Sequence, residues 1–348
     1  MSGKKYLLPA VGAAVLMAGG AAAYLYLKGP AKDGTSPLAI ARTIPDEAYA
    51  AAFISSDMQA WSKLQEFGTP EAQKLISEGL KEFEQQLLTK NNINFEKDLK
   101  PWVGNSMIAV LPSAKGKGEE PSVLAVIGIK DKISATQFAL KMATQSGGKS
   151  KEEDYKGNKI IIGSDNSTYA SVLKDYLLIA TDKNTLQEAI NTTQGQPSLA
   201  SKPGAEELLT KGVDVKNPIA QVYMMDYADT IQKLMNTSSS EVTIPPSTLK
   251  QIKNLKSFVV GIGVEDAGVR MKGVVNMSPD APKLSYKPVP GKVVSQFPAE
   301  TLAMVSGGNI SQSWTQGLEQ VKDDPDTQKA LNEIRQTVKT TVDVDLDK

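Results

Sequence analysis

Two stretches of this 348-residue chain share an ordered series of matching residues, and this internal duplication is the strongest constraint on its fold. In each copy a short apolar segment leads to a Trp, and a Pro that follows a capping residue opens a second helical pattern. A strand–helix–helix unit that occurs twice predicts an α+β fold of mainly antiparallel sheets with packed helices. The structural anchors of the repeat are Pro45, Trp61, Pro70, Pro101 and Trp102 in the first copy, and Pro298, Trp314 and Pro325 in the second.

The second copy stops before it is finished. Its last residues, Val344–Lys348, match Ile93–Lys97 of the first copy, an alternating segment that leads into the Pro101–Trp102 element. Residues 297–348 are therefore expected to be an incomplete second copy of the unit. We expect the chain to be a fragment of a longer protein or a truncated gene product.

The final nine residues, TTVDVDLDK, carry three aspartates in alternation with apolar residues. A calcium loop of the EF-hand type places ligands at positions 1, 3 and 5, Gly at 6 and Glu at 12. Counted from Asp343, position 6 is Lys348. The period of two instead fits a half-buried strand at the seam of the repeat. We predict no metal site in this segment, and poor local order.

Residues 6–27 form an uncharged run between Lys5 and Lys28. The run is 22 residues long, and a helix of roughly 20 apolar residues crosses a bilayer core. A cleaved signal peptide is the alternative, because A-x-A stands before Tyr24, although its apolar region would be longer than the usual length of about 7–15 residues. We predict one N-terminal transmembrane helix, with the lipid bilayer as its partner.

These features predict the organisation of the chain. Lys and Arg flank the apolar run about equally, so charge alone does not orient it. A Gly/Pro-rich linker follows the run, and a second Pro-rich stretch separates the two copies. The predicted regions are a cytoplasmic tip (1–5), a transmembrane anchor (6–27), a linker (28–42), an extracytoplasmic α+β domain (43–278), a Pro-rich linker (279–296) and the incomplete second copy (297–348).

Composition excludes several classes of function. Lys plus Arg and Asp plus Glu balance at 39 each, so the chain lacks the basic footprint of a nucleic-acid-binding protein. It has no Cys and no His, which removes disulfides, thiol nucleophiles, the commonest general base and the commonest transition-metal ligand. We expect no cofactor, no metal and no enzymatic activity. A carboxylate-based hydrolase is the remaining enzymatic alternative, with Asp98 or Asp131 as its acid.

The middle of the chain alternates strand and helix patterns. Two segments, VLAVIGIKDKISATQFALKMA and DYLLIATDKNTLQEAINTT, each run from an apolar strand through Asp-Lys into an amphipathic helix. Asp131 and Asp182 could be paired carboxylates, but each precedes a helical pattern and stands three residues before Ser134 or Thr185. We predict that both aspartates mark a strand-end turn and the entry to a helix, with Ser134 and Thr185 as the capping-type residues.

Glycines mark two turns in the same region. Gly157-Asn158 before a β-branched run predicts a hairpin, and the segment from Glu265 to Gly268 predicts a turn between two strands. Gly261 and Gly263 lie within the first of those two strands and are followed by no helix, so they do not form a phosphate-binding loop.

Five segments together resemble a known family. They are IPDEAYAAAFISSD, FGTPEAQK, FEKDLKPWVG, DYLLIATDKNTLQEAI and FPAETLAMVSGGNISQSW. They are similar to the membrane-anchored, mostly cyanobacterial proteins catalogued as domain of unknown function 3352, over about residues 38–348. The resemblance implies an anchored protein whose soluble part lies in the periplasm or thylakoid lumen. It implies no catalytic residues, and members of the family look longer than this chain.

The sequence favours a non-enzymatic module that binds a protein partner, or acts as a scaffold or assembly factor, at the membrane. The alternative is a carrier or chaperone for an apolar ligand or an envelope or thylakoid component, because helices packed on a curved sheet can enclose a cavity. The fold class alone does not choose between these functions.

Overall fold

The computed structural model describes residues 36–68, 93–113, 121–144, 150–164, 166–237, 252–266, 268–279 and 325–342, with positions 70, 73–74, 78, 281, 315, 318–319 and 322. The chain divides into two compact units, Met1–Ser240 with Lys256–Asn276, and Glu241–Leu255 with Met277–Lys348. The predicted anchor, Pro298, Trp314 and residues 343–348 lie outside the described residues, so what was expected of them stays a prediction. Within the described ranges no helix is long and apolar enough to cross a membrane.

The described elements follow the chain in an α+β order. The strands are β1 (Ala50–Ile54), β2 (Val103–Leu111), β3 (Ser122–Ile129), β4 (Lys151–Tyr155), β5 (Asn158–Ile162), β6 (Tyr169–Leu173), β7 (Tyr176–Ala180), β8 (Pro218–Met225), β9 (Leu255–Glu265) and β10 (Gly268–Met277). The helices are α1 (Pro37–Ala41), α2 (Met58–Ser62), α3 (Lys132–Ala143), α4 (Lys183–Thr193), α5 (Ala205–Lys211), α6 (Tyr227–Thr237) and α7 (Pro325–Val342), with short 3-10 turns at Lys63–Glu66 and Leu199–Ser201.

The ten strands form one sheet in the order β10-β9-β8-β1-β2-β3-β7-β6-β5-β4. The central pairs are antiparallel, as in the β1–β2 register from Ala50 opposite Val110 to Ile54 opposite Ser106. Strands β8 and β9 also pair antiparallel. This sheet with its packed helices confirms the predicted α+β class.

Helices α1, α4 and α5 cover one face of the sheet, which we call the α1 face. Alternate residues of the central strands point into this core because side chains along a strand alternate between the two faces. Ala189 and Leu208 supply helix contacts, and Met107 and Leu124 supply strand contacts. Burial of this apolar surface is the main favourable term in folding the sheet.

Helix α3 covers part of the opposite face, which we call the α3 face. Trp102 is fully buried there among Phe138, Leu177 and Ala170. Farther along the same face, α2 places Ala60 against Ile219. The α3 face is therefore covered near its two flanks by short helices.

Two predicted turns are confirmed. Strands β4 and β5 form a hairpin in which Tyr155 lies opposite Asn158, and Lys156 and Gly157 at its tip have φ of 49° and 78°. Positive φ at both central residues is the geometry of the common two-residue hairpin turn. Strands β9 and β10 are joined at Asp266, as the sequence predicted.

The alternating segment before Pro101 folds differently from the sequence pattern. Phe95–Leu99 forms one helical turn, whereas alternation favours a strand. Polar side chains explain the difference: Asn94 Oδ1 accepts from the Lys97 amide at 3.0 Å, and Asp98 Oδ2 accepts from the Asn94 amide at 2.6 Å. Such local bonds offer the backbone an alternative to a strand ladder.

Candidate functional site

Strand β10 carries an exposed apolar surface at one edge of the sheet, the last position in the described strand order. The exposed fractions are 54% for Val269, 70% for Met271, 50% for Val275 and 45% for Met277, and 41% for Val222 two strands away. Single exposed apolar residues are normal, but a contiguous set of them marks an interaction surface.

These side chains share the α3 face. Val222 of β8 lies opposite Ala52 of β1 on one side and Val260 of β9 on the other. A Cβ added to Gly273 would lie 3.8 Å from Val260 Cγ2, so the odd-numbered residues of β10 continue the same row. We call Val222, Val260, Val269, Met271, Val275 and Met277 the β10 face.

The other face of β9 and β10 is covered. A Cβ on Gly261 would overlap the Val213 side chain, and one on Gly263 would overlap the Lys216 carbonyl oxygen. The two glycines therefore let the segment before β8 lie directly on the strand. This agrees with the prediction that they are not a phosphate-binding loop. Val274 of β10 packs on the core of the α1 face.

The polar side chains of β10 are already engaged on the covered side. Arg270 donates to Glu265 Oε2 at 3.0 Å, and Lys272 Nζ donates to the Asp214 carbonyl oxygen at 3.3 Å. In the turn beside them Lys63 Nζ donates to Asp266 Oδ1 at 3.1 Å, and this ammonium lowers the pKa of the Asp266 carboxyl. The contacts of Arg270 and Lys272 thus lie on the side of the strand opposite the apolar residues, whereas Lys63 reaches the turn from the α3 face.

The opposite edge of the sheet is protected. Strand β4 reads KEEDY, and Lys151, Glu152 and Asp154 are exposed. Lys159 of β5 donates to Glu152 Oε2 at 2.7 Å. Charged side chains on an edge strand are a common device against unwanted strand pairing. Strand β10 lacks such a device on its α3 face.

The repeat anchors are dispersed rather than gathered in one site. Pro45 forms an isolated bridge with Ser198, and Pro101 is exposed in the turn before β2. The half-buried Trp61 donates its indole N–H to the Ser55 carbonyl at 2.7 Å, and Pro70 is exposed. The anchors in the described ranges therefore serve packing and turn geometry.

One anchor of the second copy is described. Pro325 is the first residue of α7, which is the N1 position the sequence predicted for it.

The candidate catalytic aspartates have structural partners. Asp131 Oδ1 accepts from the Ser134 amide at 2.7 Å and begins α3, and the Ser134 bonds lower the pKa of that carboxyl. Asp182 accepts from the Thr185 amide at 2.8 Å and begins α4. Both aspartates lie at helix entries, as predicted, but the caps are the aspartates themselves rather than Ser134 and Thr185. Asp98 accepts from Lys141 Nζ at 2.5 Å.

A separate carboxylate has an altered proton affinity. Partial burial, followed by the negative charges of Glu47 and Asp182, raises the pKa of the Glu188 carboxyl. Across the described parts of the chain, no three acidic side chains lie close enough together to hold a metal ion.

Sequence reasoning identified β10 as a strand but not as an exposed surface. The pattern VRMKGVVNM alternates between apolar and polar residues over most of its length, and alternation is typical of a strand with one buried face. In the structure no residue of β10 is fully buried: Lys272 and Val274 are half-buried on the side that also bears the exposed Arg270, and the apolar side faces out. Only the position of the strand at the sheet edge reveals this.

Comparison with known proteins gives a family but no activity. Two crystal structures of a protein named TP0453, its forms III and I, each share 9% identity and a TM-score of 0.36 with this chain over 70% of its length, and over 81% and 80% of theirs. No curated protein matches the chain. A family model described as "Protein of unknown function (DUF3352)" matches residues 10–348. The chain belongs to this family, DUF3352.

Proposed function

We propose that this protein is a non-enzymatic binding and assembly module that is tethered to a membrane and engages a protein partner through the β10 face. Residues 6–27 are the anchor in this proposal, and the sheet lies outside the cytoplasm, in a periplasm or thylakoid lumen. The binding role rests on the exposed apolar side chains of β10, among which Met271 is 70% exposed.

Two physical arguments support a protein partner. An edge strand presents unpaired backbone N–H and C=O groups that another strand can satisfy. Exposed apolar side chains beside such an edge add burial when a partner docks, at roughly 25 cal/mol per Å² of apolar surface. Among the described strands none pairs with the outer edge of β10, so the β10 face supplies both features, whereas the charged strand β4 supplies only the first.

Site-specific photo-crosslinking tests the binding role. In the full-length chain Met271 is replaced by p-benzoylphenylalanine. The variant is produced in the native host, and its membranes are irradiated. We expect one adduct of defined mass that is recovered in stoichiometric amount. The matched control places the same group at Glu152, on the charged edge of the sheet, where we expect no discrete adduct.

Two outcomes contradict the binding role. Absence of an adduct at Met271, or the same diffuse adducts at both positions, would show that the β10 face is not a docking surface. A discrete adduct at Glu152 alone would show that the docking site lies at the β4 edge of the sheet instead.

Membrane fractionation tests the anchor separately. The intact chain should remain in the pellet after extraction with alkaline carbonate, because a spanning helix resists this treatment. Deletion of residues 6–27 should release the rest of the chain to the supernatant. Release of the intact chain would contradict the proposed anchor without bearing on the β10 face.

A further inference from the structure

We propose that the partner of the β10 face is a second copy of this chain, and that the β10 strands of two copies pair antiparallel about a two-fold axis at Gly273. The two ten-stranded sheets then form one continuous sheet. This inference rests on the proposed binding function, and it specifies the partner and the register.

The register follows from the pattern of the strand. Antiparallel pairing about Gly273 places Val269 opposite Met277 and Met271 opposite Val275, so apolar side chains face each other along the exposed side. A two-fold interface brings the same patch of both subunits together, so the pattern has to be self-complementary. The nine residues from Val269 to Met277 meet this condition.

Charge disfavours the registers whose axis lies closer to Arg270. With the axis at Gly273, Arg270 lies opposite Asn276 and Lys272 lies opposite Val274. An axis at Lys272 would place two lysines directly opposite each other, and an axis at Met271 would oppose Arg270 and Lys272. Like charges directly opposite on paired strands are destabilising.

The side chains of β10 that point to the α1 face do not obstruct the pairing of two β10 strands. Arg270 and Lys272 are held by Glu265 and by Asp214 on the α1 face, so they leave the strand edge accessible. The Gly273 position also has room on the α3 face, since an added Cβ would meet its nearest neighbours, Val259 O and Val260 Cγ2, at 3.8 Å.

The absence of cysteine makes disulfide trapping a direct test. Residues directly opposite on antiparallel strands have Cα atoms about 4.5–5.5 Å apart, which a disulfide can bridge. Gly273→Cys lies opposite itself in the proposed pair. Lys272→Cys lies two positions from its own copy, at about 8 Å, beyond the limit for a disulfide.

The experiment uses the full-length chain in membranes, oxidised with copper phenanthroline and resolved without reducing agent. Gly273→Cys should give at least about ten times more covalent dimer than Lys272→Cys, because only the first pair meets the distance limit. The double variant Met271→Cys with Val275→Cys should also cross-link, whereas each single variant should not. This second set keeps the test valid if Gly273→Cys fails to fold.

The cysteine and photo-crosslinking experiments together distinguish a wrong partner from a wrong binding function. Equal dimer from Gly273→Cys and Lys272→Cys, or dimer from neither, overturns the pairing of two β10 strands. If the benzophenone at Met271 still gives a discrete adduct with a different protein, the binding function stands and only the second copy is wrong. If both experiments are negative, both proposals fail.

Discussion

The ring of Trp102 lies 5.3 Å from the ring of Phe138, centroid to centroid, with the two planes tilted by 41°. The indole N–H donates to the Asp98 carbonyl oxygen at 2.5 Å, and the Asp98 carboxylate accepts from Lys141 Nζ at 2.5 Å. Trp102, the residue before β2, is therefore joined to the helical turn at Phe95–Leu99 by its hydrogen bond and to helix α3 by its ring contact with Phe138.

Trp102→Ala should reduce the free energy of unfolding by about 3–5 kcal/mol, because a fully buried aromatic side chain leaves a cavity when it is removed. Trp102→Phe should cost less, since it keeps a ring beside Phe138 and loses the hydrogen bond and only part of the buried ring volume. Urea unfolding of the full-length chain in detergent, followed by circular dichroism, measures both values. Trp61→Ala is the matched control, because Trp61 also donates to a carbonyl but is only half-buried. An equal loss for both tryptophans would contradict this assignment.

Gly212→Ala should destabilise the protein more than Gly157→Ala does. Both glycines have positive φ, 51° and 78°, so alanine is strained at either position. At Gly212 the ψ of −134° lies outside the left-handed helical region, so the backbone cost of alanine is larger there. At Gly212 the new methyl group would also displace Gln221, whose Oε1 accepts from the Tyr223 hydroxyl at 3.0 Å. At Gly157 no atom lies within 4 Å of the new methyl group.

Thermal unfolding of the two glycine variants gives the comparison. A lower Tm for Gly212→Ala than for Gly157→Ala is expected. Equal Tm values would contradict both the larger backbone cost at Gly212 and the cost of displacing Gln221.

Asp182→Ala should lower the free energy of unfolding by about 1 kcal/mol, the typical cost of losing a helix N-cap. The carboxylate accepts from both the amide and the hydroxyl of Thr185, at 2.8 and 2.7 Å. Asp182→Asn keeps an acceptor for the amide and should lose only part of this stability. Urea titration of the two variants checks the order, and a larger loss for the Asn variant would be inconsistent with capping.

The sequence predicted local structure well because local signals determine it. The helix entries after Asp131 and Asp182 follow from a polar residue placed before a helical pattern, although the aspartates cap the helices instead of Ser134 and Thr185, and the hairpin at Gly157 follows from a residue that accepts positive φ. These features need no knowledge of the rest of the fold.

The sequence could not predict which strands lie at the edges of the sheet. The order places β10 at one end and β4 at the other, and this order depends on contacts between residues far apart in the chain. The apolar residues of β10 would be core residues in a central strand and are exposed at an edge. The helical turn at Phe95–Leu99 was missed for the opposite reason, since two polar side chains override an alternating pattern.

Glu188→Gln should raise the Tm at neutral pH. The pKa of this carboxyl is raised in the folded state by partial burial and by Glu47 and Asp182, so above its unfolded pKa the folded state binds the proton more readily. Stability therefore falls as the pH rises through the window between the unfolded and the raised folded pKa. Gln carries no charge, so the variant does not lose stability as the pH rises through this window.

Scanning calorimetry of wild type and Glu188→Gln between pH 4 and 8 tests the sign, and the difference in Tm should shrink as the pH falls. Glu207→Gln is the control of opposite sign. The hydrogen bond from Lys211 lowers the pKa of Glu207, so that carboxylate contributes stability above its unfolded pKa and loses it as the pH falls. Glu207→Gln should therefore lower the Tm at neutral pH. A Tm that falls for both variants would show that the Glu188 carboxylate is stabilised by its surroundings, against the direction of its pKa.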